Sequence, residues 1–202
     1  LERVCRAYRL PCVSGKDSMK NDYGTGPDKI SIPPTLLFSL FGDHPDVRKT
    51  ATSDFKSVGD RIYLVGTSHQ ELGASELAYM MSESGDAHGI GGQVPQLPHP
   101  EQNLSTYRAL AAAVRNGTVR TAHDCSEGGV AVALAEMCIG GRLGASVDID
   151  GTGEGDVWGR LWGESLGRFV VAVSPENEAQ FLTSMKSHPT TVLGVVWRWF
   201  AS

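Results

Sequence analysis

Seven consecutive residues, His123-Asp124-Cys125-Ser126-Glu127-Gly128-Gly129, place a carboxylate, two hydrogen-bonding side chains and two glycines between a β-branched run and an Ala/Val-rich run. The pattern predicts a strand over Thr118 to Ala122, a tight turn, and a small-residue helix over Gly128 to Cys138. A carboxylate near a strand end faces the crevice in which open sheets bind ligands. The glycines let backbone approach a ligand, and the free N–H groups of a helix start favour phosphate. Asp124 is therefore a candidate Mg²⁺ ligand, because Mg²⁺ on nucleotide phosphates is held by one or two carboxylates. Ser126 is a candidate phosphate donor, and Glu127 either a metal ligand or a helix cap. The same spacing also suits a capped turn that binds nothing. His123 forms no dyad with Asp124, since consecutive strand residues face opposite ways. Cys125 reads as a space-filler.

Two further segments carry polar groups in glycine-rich turns. In Ser14-Gly15-Lys16-Asp17-Ser18-Met19, Lys16 could neutralise a phosphate and Ser18 bond one, but the earlier glycine of a Walker loop is missing. A charged surface turn fits the same residues. In Gly163-Glu164-Ser165-Leu166-Gly167-Arg168, Arg168 offers a bidentate fork and Ser165 a hydroxyl. The alternative there is a Glu–Arg surface pair, which contributes little to stability. His88 and His99 flank a Gly/Pro/His-rich loop from Gly85 to Pro100. Neither a nucleophile elbow nor a zinc-protease helix occurs in the sequence.

The elements that must position these groups interleave along 202 residues. Helices are predicted over residues 1–9, 71–81, from Asn103 or Ser105 to Asn116, and over 176–185. Strands are predicted over 30–42, 61–66, 145–149, 169–173 and 191–196. The class is α/β (α+β) with a mixed sheet. A boundary is expected between Arg48 and Phe55, giving domains 1–50 and 55–202. A formal net charge of -5 argues against a nucleic-acid partner, and no apolar run approaches the roughly 20 residues of a membrane span. The four cysteines form no CxxC pair, which suits a reducing, cytoplasmic setting. The opening at Leu1 reads as text cut from something longer.

Three blocks together resemble one family. Ser14 to Met19, Glu71-Leu72-Gly73-Ala74-Ser75-Glu76, and His123 to Met137 look like phosphoribosylformylglycinamidine synthase, also called formylglycinamide ribonucleotide amidotransferase. Gly59 to Gly66 and Gly163 to Phe169 fit the same family in the same order. The resemblance implies the fold of the aminoimidazole ribonucleotide synthetase superfamily. There an N-terminal α/β domain, whose end would be residues 1–50, precedes a three-layer α/β/α domain, here residues 55–202. It also implies an ATP-dependent ligase that turns formylglycinamide ribonucleotide into its amidine. ATP and Mg²⁺ are the implied cofactors, a glutaminase domain or subunit the ammonia source, and a first copy of the same arrangement or another subunit the partner. Carried over by residue, Asp124 would bind metal, and Gly15, Lys16 and Ser126 nucleotide. Ser18, Gln93, Glu164 and Ser165 would bind substrate. No catalytic residue is implied in this stretch, so the chain alone is expected to be inactive. Glu127 stands where the family usually has aspartate, and Ala74 where it usually has glycine. Alternatives are an auxiliary nucleotide-binding structural module, or another superfamily member such as selenophosphate synthetase.

Overall fold

Ile62-Tyr63-Leu64-Val65 and Val170-Val171-Ala172-Val173 are apolar without alternation, so strands built from them need cover on both faces. The computed structural model describes residues 1–16, 22–31, 35–83 and 92–198. It divides into two units, Leu1–Val47 and Arg48–Ser202, and the second supplies that cover. Strands β1 (Arg61–Val65), β2 (Thr121–Asp124), β3 (Gly144–Val147), β4 (Phe169–Val173) and β5 (Thr190–Trp197) form one sheet in the order β2-β4-β1-β5-β3.

Each of the ladders joining neighbouring strands is antiparallel. Among the described residues, parallel pairing occurs only as the isolated bridges Thr52–Thr121 and Ser68–Gly153. The expectation of a mixed sheet is therefore corrected. Three of the helical connections join strands that run the same way, but never neighbours, while the short helix over Val157–Trp162 leads from β3 to the oppositely directed β4. One leads from β2 to β3 at the opposite edge, and another from β4 to β5 across β1. An oppositely directed strand always intervenes.

Helix α1 (Glu2–Tyr8) lies in the first unit; α2 (Glu76–Glu83), α3 (Pro100–Arg115), α4 (Gly129–Gly141), α5 (Val157–Trp162) and α6 (Glu178–Met185) belong to the second. Along α4, Val130, Ala133, Leu134 and Met137 recur at helical spacing and are buried. They pack on the Ile62, Leu64, Val170 and Ala172 face of the sheet. On the other face Tyr63, Val65, Val171 and Val173 meet Leu110 and Ala113 of α3 and Phe181 and Met185 of α6. Each fully buried side chain of this size contributes about 1.5–3 kcal/mol. Tyr63 ends its buried ring on a hydroxyl that donates to Glu178 at 2.5 Å.

Boundaries moved where polar groups have a use outside the helix. Residues 71–75 precede α2 as a turn, with Ala74 at φ 58. Helix α3 starts at Pro100, so neither Asn103 nor Ser105 caps it. In the first unit the strand expected over 30–42 is replaced by a single Tyr23–Ile30 bridge followed by irregular chain over 35–42. A strand needs a partner; without one among the described residues of this unit, Leu36, Leu37, Phe38, Leu40 and Phe41 stand 59–90% exposed. Among the described residues no helix is long and apolar enough to cross a membrane.

The left-handed turn at Ala74 carries a testable cost. An L-residue with a Cβ is disfavoured there by about 1 kcal/mol, a penalty glycine escapes. Ala74→Gly should accordingly raise the urea midpoint of unfolding, and a midpoint that falls would show that the turn tolerates its side chain.

Candidate functional site

Asp124 is the last residue of β2, an edge strand with its ladder to β4 on one side and the single Thr52–Thr121 bridge besides. The ladder continues one step beyond it, where the Cys125 N–H donates to the Arg168 carbonyl at 2.9 Å. That bond turns the chain so that Cys125 is buried while Asp124, Ser126 and Glu127 are exposed. Ser126 donates its hydroxyl to the Asp124 carboxylate. Gly128 and Gly129 then take φ of 73° and 65°, a left-handed start that sends the chain into α4. No side chain caps α4 from within the turn, so Glu127 is not its cap.

The turn opens onto a cleft of about 380 Å³. Asp124, Ser126 and Glu127 line it together with Glu164, the loop from Leu166 to Arg168 and the Tyr107–Phe169 pair. The two rings meet edge to face at 5.6 Å. His123 does not line the cleft, but its ring bridges Asp124 and Glu136 on α4, the latter 2.9 Å from Nε2. The Asp124 carbonyl is 2.7 Å and its carboxylate 3.7 Å from Nδ1, so the two neighbours do not face fully apart. Burial pushes the Cys125 thiol up to about 11, so it stays protonated and is a poor nucleophile.

Beneath the cleft sits Arg168, only 1% exposed. Its Nε donates to the Ser165 carbonyl at 2.9 Å, Nη1 to Ser68 Oγ at 2.8 Å, and Nη2 to the Gly163 carbonyl. It is neither the open phosphate fork nor the surface pair that its sequence context suggested. Burial lowers its guanidinium from the ordinary value, against the pull of Cys125, Glu71 and Glu164. Ser165 is buried too, its Oγ accepting the His69 N–H at 3.0 Å. Glu164 is half-buried, and its Oε1 accepts the N–H groups of Gly128 at 3.0 Å and Glu76 at 2.9 Å.

Glu71 was quoted within a block but not singled out, and it proves to be part of this scaffold. It is 5% exposed, and its Oε1 accepts the Gln96 N–H at 2.9 Å. Two residues on, the Gly73 N–H donates to the Gln93 carbonyl at 3.1 Å. Gln93 itself is exposed. A buried glutamate beside a glycine turn was the available signal. Gly15 and Lys16 are exposed in the first unit, while Ser18 and His88 lie outside the described residues. His99 lines a separate cavity of about 520 Å³ at the start of α3, together with His69 and His188.

Among the described residues, no three His, Cys, Asp or Glu side chains converge to form a metal cage. Asp124, with its side chain 65% exposed on the cleft, suits a different arrangement. One carboxylate there can take a cation whose remaining ligands are phosphate oxygens and water, as Mg²⁺ prefers.

Residues 57–198 match the family described as AIR synthase related protein, C-terminal domain. Among solved structures, Thermotoga maritima PurL complexed with FGAR is 23% identical, with 75% of this chain and 26% of that one covered at a TM-score of 0.62. The same protein complexed with ATP is 22% identical over 75% and 24%, at 0.57. Escherichia coli HypE, a hydrogenase maturation protein, is 18% identical over 74% and 47%, at 0.51. At these identities the likeness is one of fold. The chain spans about a quarter of the length of the PurL structures it matches.

Proposed function

The chain belongs to the AIR synthase-related family through its C-terminal domain, and from that premise we propose that it is part of a phosphoribosylformylglycinamidine synthase. In this reading Arg48–Ser202 contributes a Mg²⁺–nucleotide turn to an ATP-dependent carbon–nitrogen ligase, and ammonia comes from a glutaminase domain or subunit. Residues 1–50 are the end of the N-terminal-type domain. The exposed apolar run from Leu36 to Phe41 supports that, because it has the composition of a strand whose neighbours are supplied by more of such a domain. The Gly-Lys-Asp-Ser-Met block favours this ligase over selenophosphate synthetase or a HypE-like protein.

The observation that carries the proposal is the Asp124–Ser126 pair, which faces an open cleft at the start of α4. Asp124 would hold Mg²⁺, whose charge would neutralise the nucleotide's phosphates. The chain's own part is geometric. Ser126 orients the Asp124 carboxylate, and the Tyr107–Phe169 wall limits water on one side. Gly15 and Lys16 are assigned to nucleotide, and Ser18 and Gln93 to the ribonucleotide substrate. Ser165, being buried, serves by fixing the loop that carries Glu164.

Calorimetry with Mg-ADP tests the proposal. Asp124→Ala should weaken binding by about 100-fold, equivalent to roughly 2.7 kcal/mol, and Mg²⁺ omission should weaken the wild type by a similar factor. Equal affinity for wild type and variant would remove Asp124 from the site. An auxiliary, structural nucleotide site is the second reading, and it would use the same Asp124–Ser126 pair. Mg-ADP binding that depends on Asp124, with turnover of formylglycinamide ribonucleotide unaffected by Asp124→Ala in the assembled enzyme, would select it.

A further inference from the structure

Glu164 lies on the Gly163–Arg168 loop, far in sequence from the turn it touches. One carboxylate oxygen, Oε1, accepts two backbone donors that begin two different helices. Gly128 immediately precedes α4, and Glu76 is the first residue of α2. Both N–H groups belong to helix starts, where unpaired donors and the helix dipole attract a carboxylate. The Glu164 N–H in turn donates to the Glu71 carbonyl at 3.2 Å. Glu71 holds Gln96, and Gly73 holds Gln93. A continuous set of hydrogen bonds thus runs from the Asp124–Gly129 turn through Glu164 to the segment bearing Gln93.

We infer that Glu164 is a positioning residue for the nucleotide turn: its carboxylate fastens Gly128 to α2, and so keeps Asp124 and Ser126 facing the cleft. The inference rests on the nucleotide reading above and gives Glu164 a different task from contacting substrate. The two N–H groups both fall on Oε1, so that oxygen fixes the backbone that carries the ligating side chains, whatever Oε2 meets in the cleft. Because the acceptor is needed more than the charge, a glutamine at this position keeps the function. An aspartate, with the charge but one methylene less of reach, loses it.

The test uses the 202-residue chain with two readouts, amide exchange at Gly128 and Glu76 and calorimetry with Mg-ADP. Glu164→Ala should accelerate exchange at both amides and weaken Mg-ADP by about 10–100-fold, the range found when a group that orients a metal ligand is removed. Glu164→Gln should restore affinity to within about 3-fold, and Glu164→Asp should resemble the alanine variant; it replaces that variant should the alanine chain fail to fold. Loss of affinity in Glu164→Gln with both amides still protected would overturn the inference, since the charge would then act on the ligand directly. So would unchanged exchange at Gly128 and Glu76 in Glu164→Ala. A wild type that binds no Mg-ADP counts instead against the nucleotide reading, and the exchange comparison still decides whether Glu164 fastens the turn.

Discussion

Arg168→Met is expected to lower the unfolding free energy of the Arg48–Ser202 unit by about 3–5 kcal/mol, the range for breaking a buried charged network from one side. The methionine fills much of the volume but donates nothing. Two backbone carbonyls, Gly163 and Ser165, and the Ser68 hydroxyl would lose their donor inside the protein. Each group left unsatisfied costs about 1–3 kcal/mol. Arg168→Lys keeps the charge but not the planar fork, so it should recover only part of the loss. Urea unfolding followed by circular dichroism reads both. A methionine variant within about 1 kcal/mol of wild type would mean that the loop folds without the guanidinium.

Gly129→Ala should be comparably severe, for two separable reasons. The residue has φ 65°, where a Cβ costs about 1–2 kcal/mol. That Cβ would also stand 2.5 Å from the Gly163 carbonyl oxygen and 2.7 Å from that of Leu161, so backbone must shift. Overpacking of this kind adds typically 1–3 kcal/mol. Gly117 provides the control, having φ 80° and nothing within 4 Å of an added Cβ. Gly117→Ala should therefore cost only the conformational part. Equal midpoints for the two alanine variants would show that the α4 start yields freely against the Gly163 loop.

The elements that the sequence revealed are those whose identity is written in a few adjacent residues. The apolar runs 61–65 and 169–173 became β1 and β4, and the spacing through Leu110 became α3. Asp124 was likewise legible as a strand-end acid before a glycine turn. What could not be read were roles assigned by distant partners. Arg168 next to Glu164 suggested a surface pair, but its donors go to backbone and to Ser68 in the interior. That one oxygen of Glu164 would join two helix starts could not be read from its loop either. The run from Leu36 to Phe41 has strand composition without a partner among the described residues of its own unit to make it one. The mixed sheet failed for a similar reason, as a helical connection names neither a strand's neighbour nor, in the step from β3 to β4, a shared direction.

The bonds that fasten the cleft are long in sequence. Gly128 and Glu164 are 36 residues apart, Glu76 and Glu164 88, His69 and Ser165 96, and Ser68 and Arg168 100. Closing such loops is what slows folding in proteins of high contact order. None of these bonds can form before residue 164 has been made, and the Ser68–Arg168 bond must wait for residue 168. During synthesis at about 5–20 residues per second, the turn bearing Asp124 is finished well before the loop that secures it exists. The turn therefore spends its first seconds as an untethered strand-to-helix corner, and is fixed only when Glu164 arrives and β4 docks between β2 and β1.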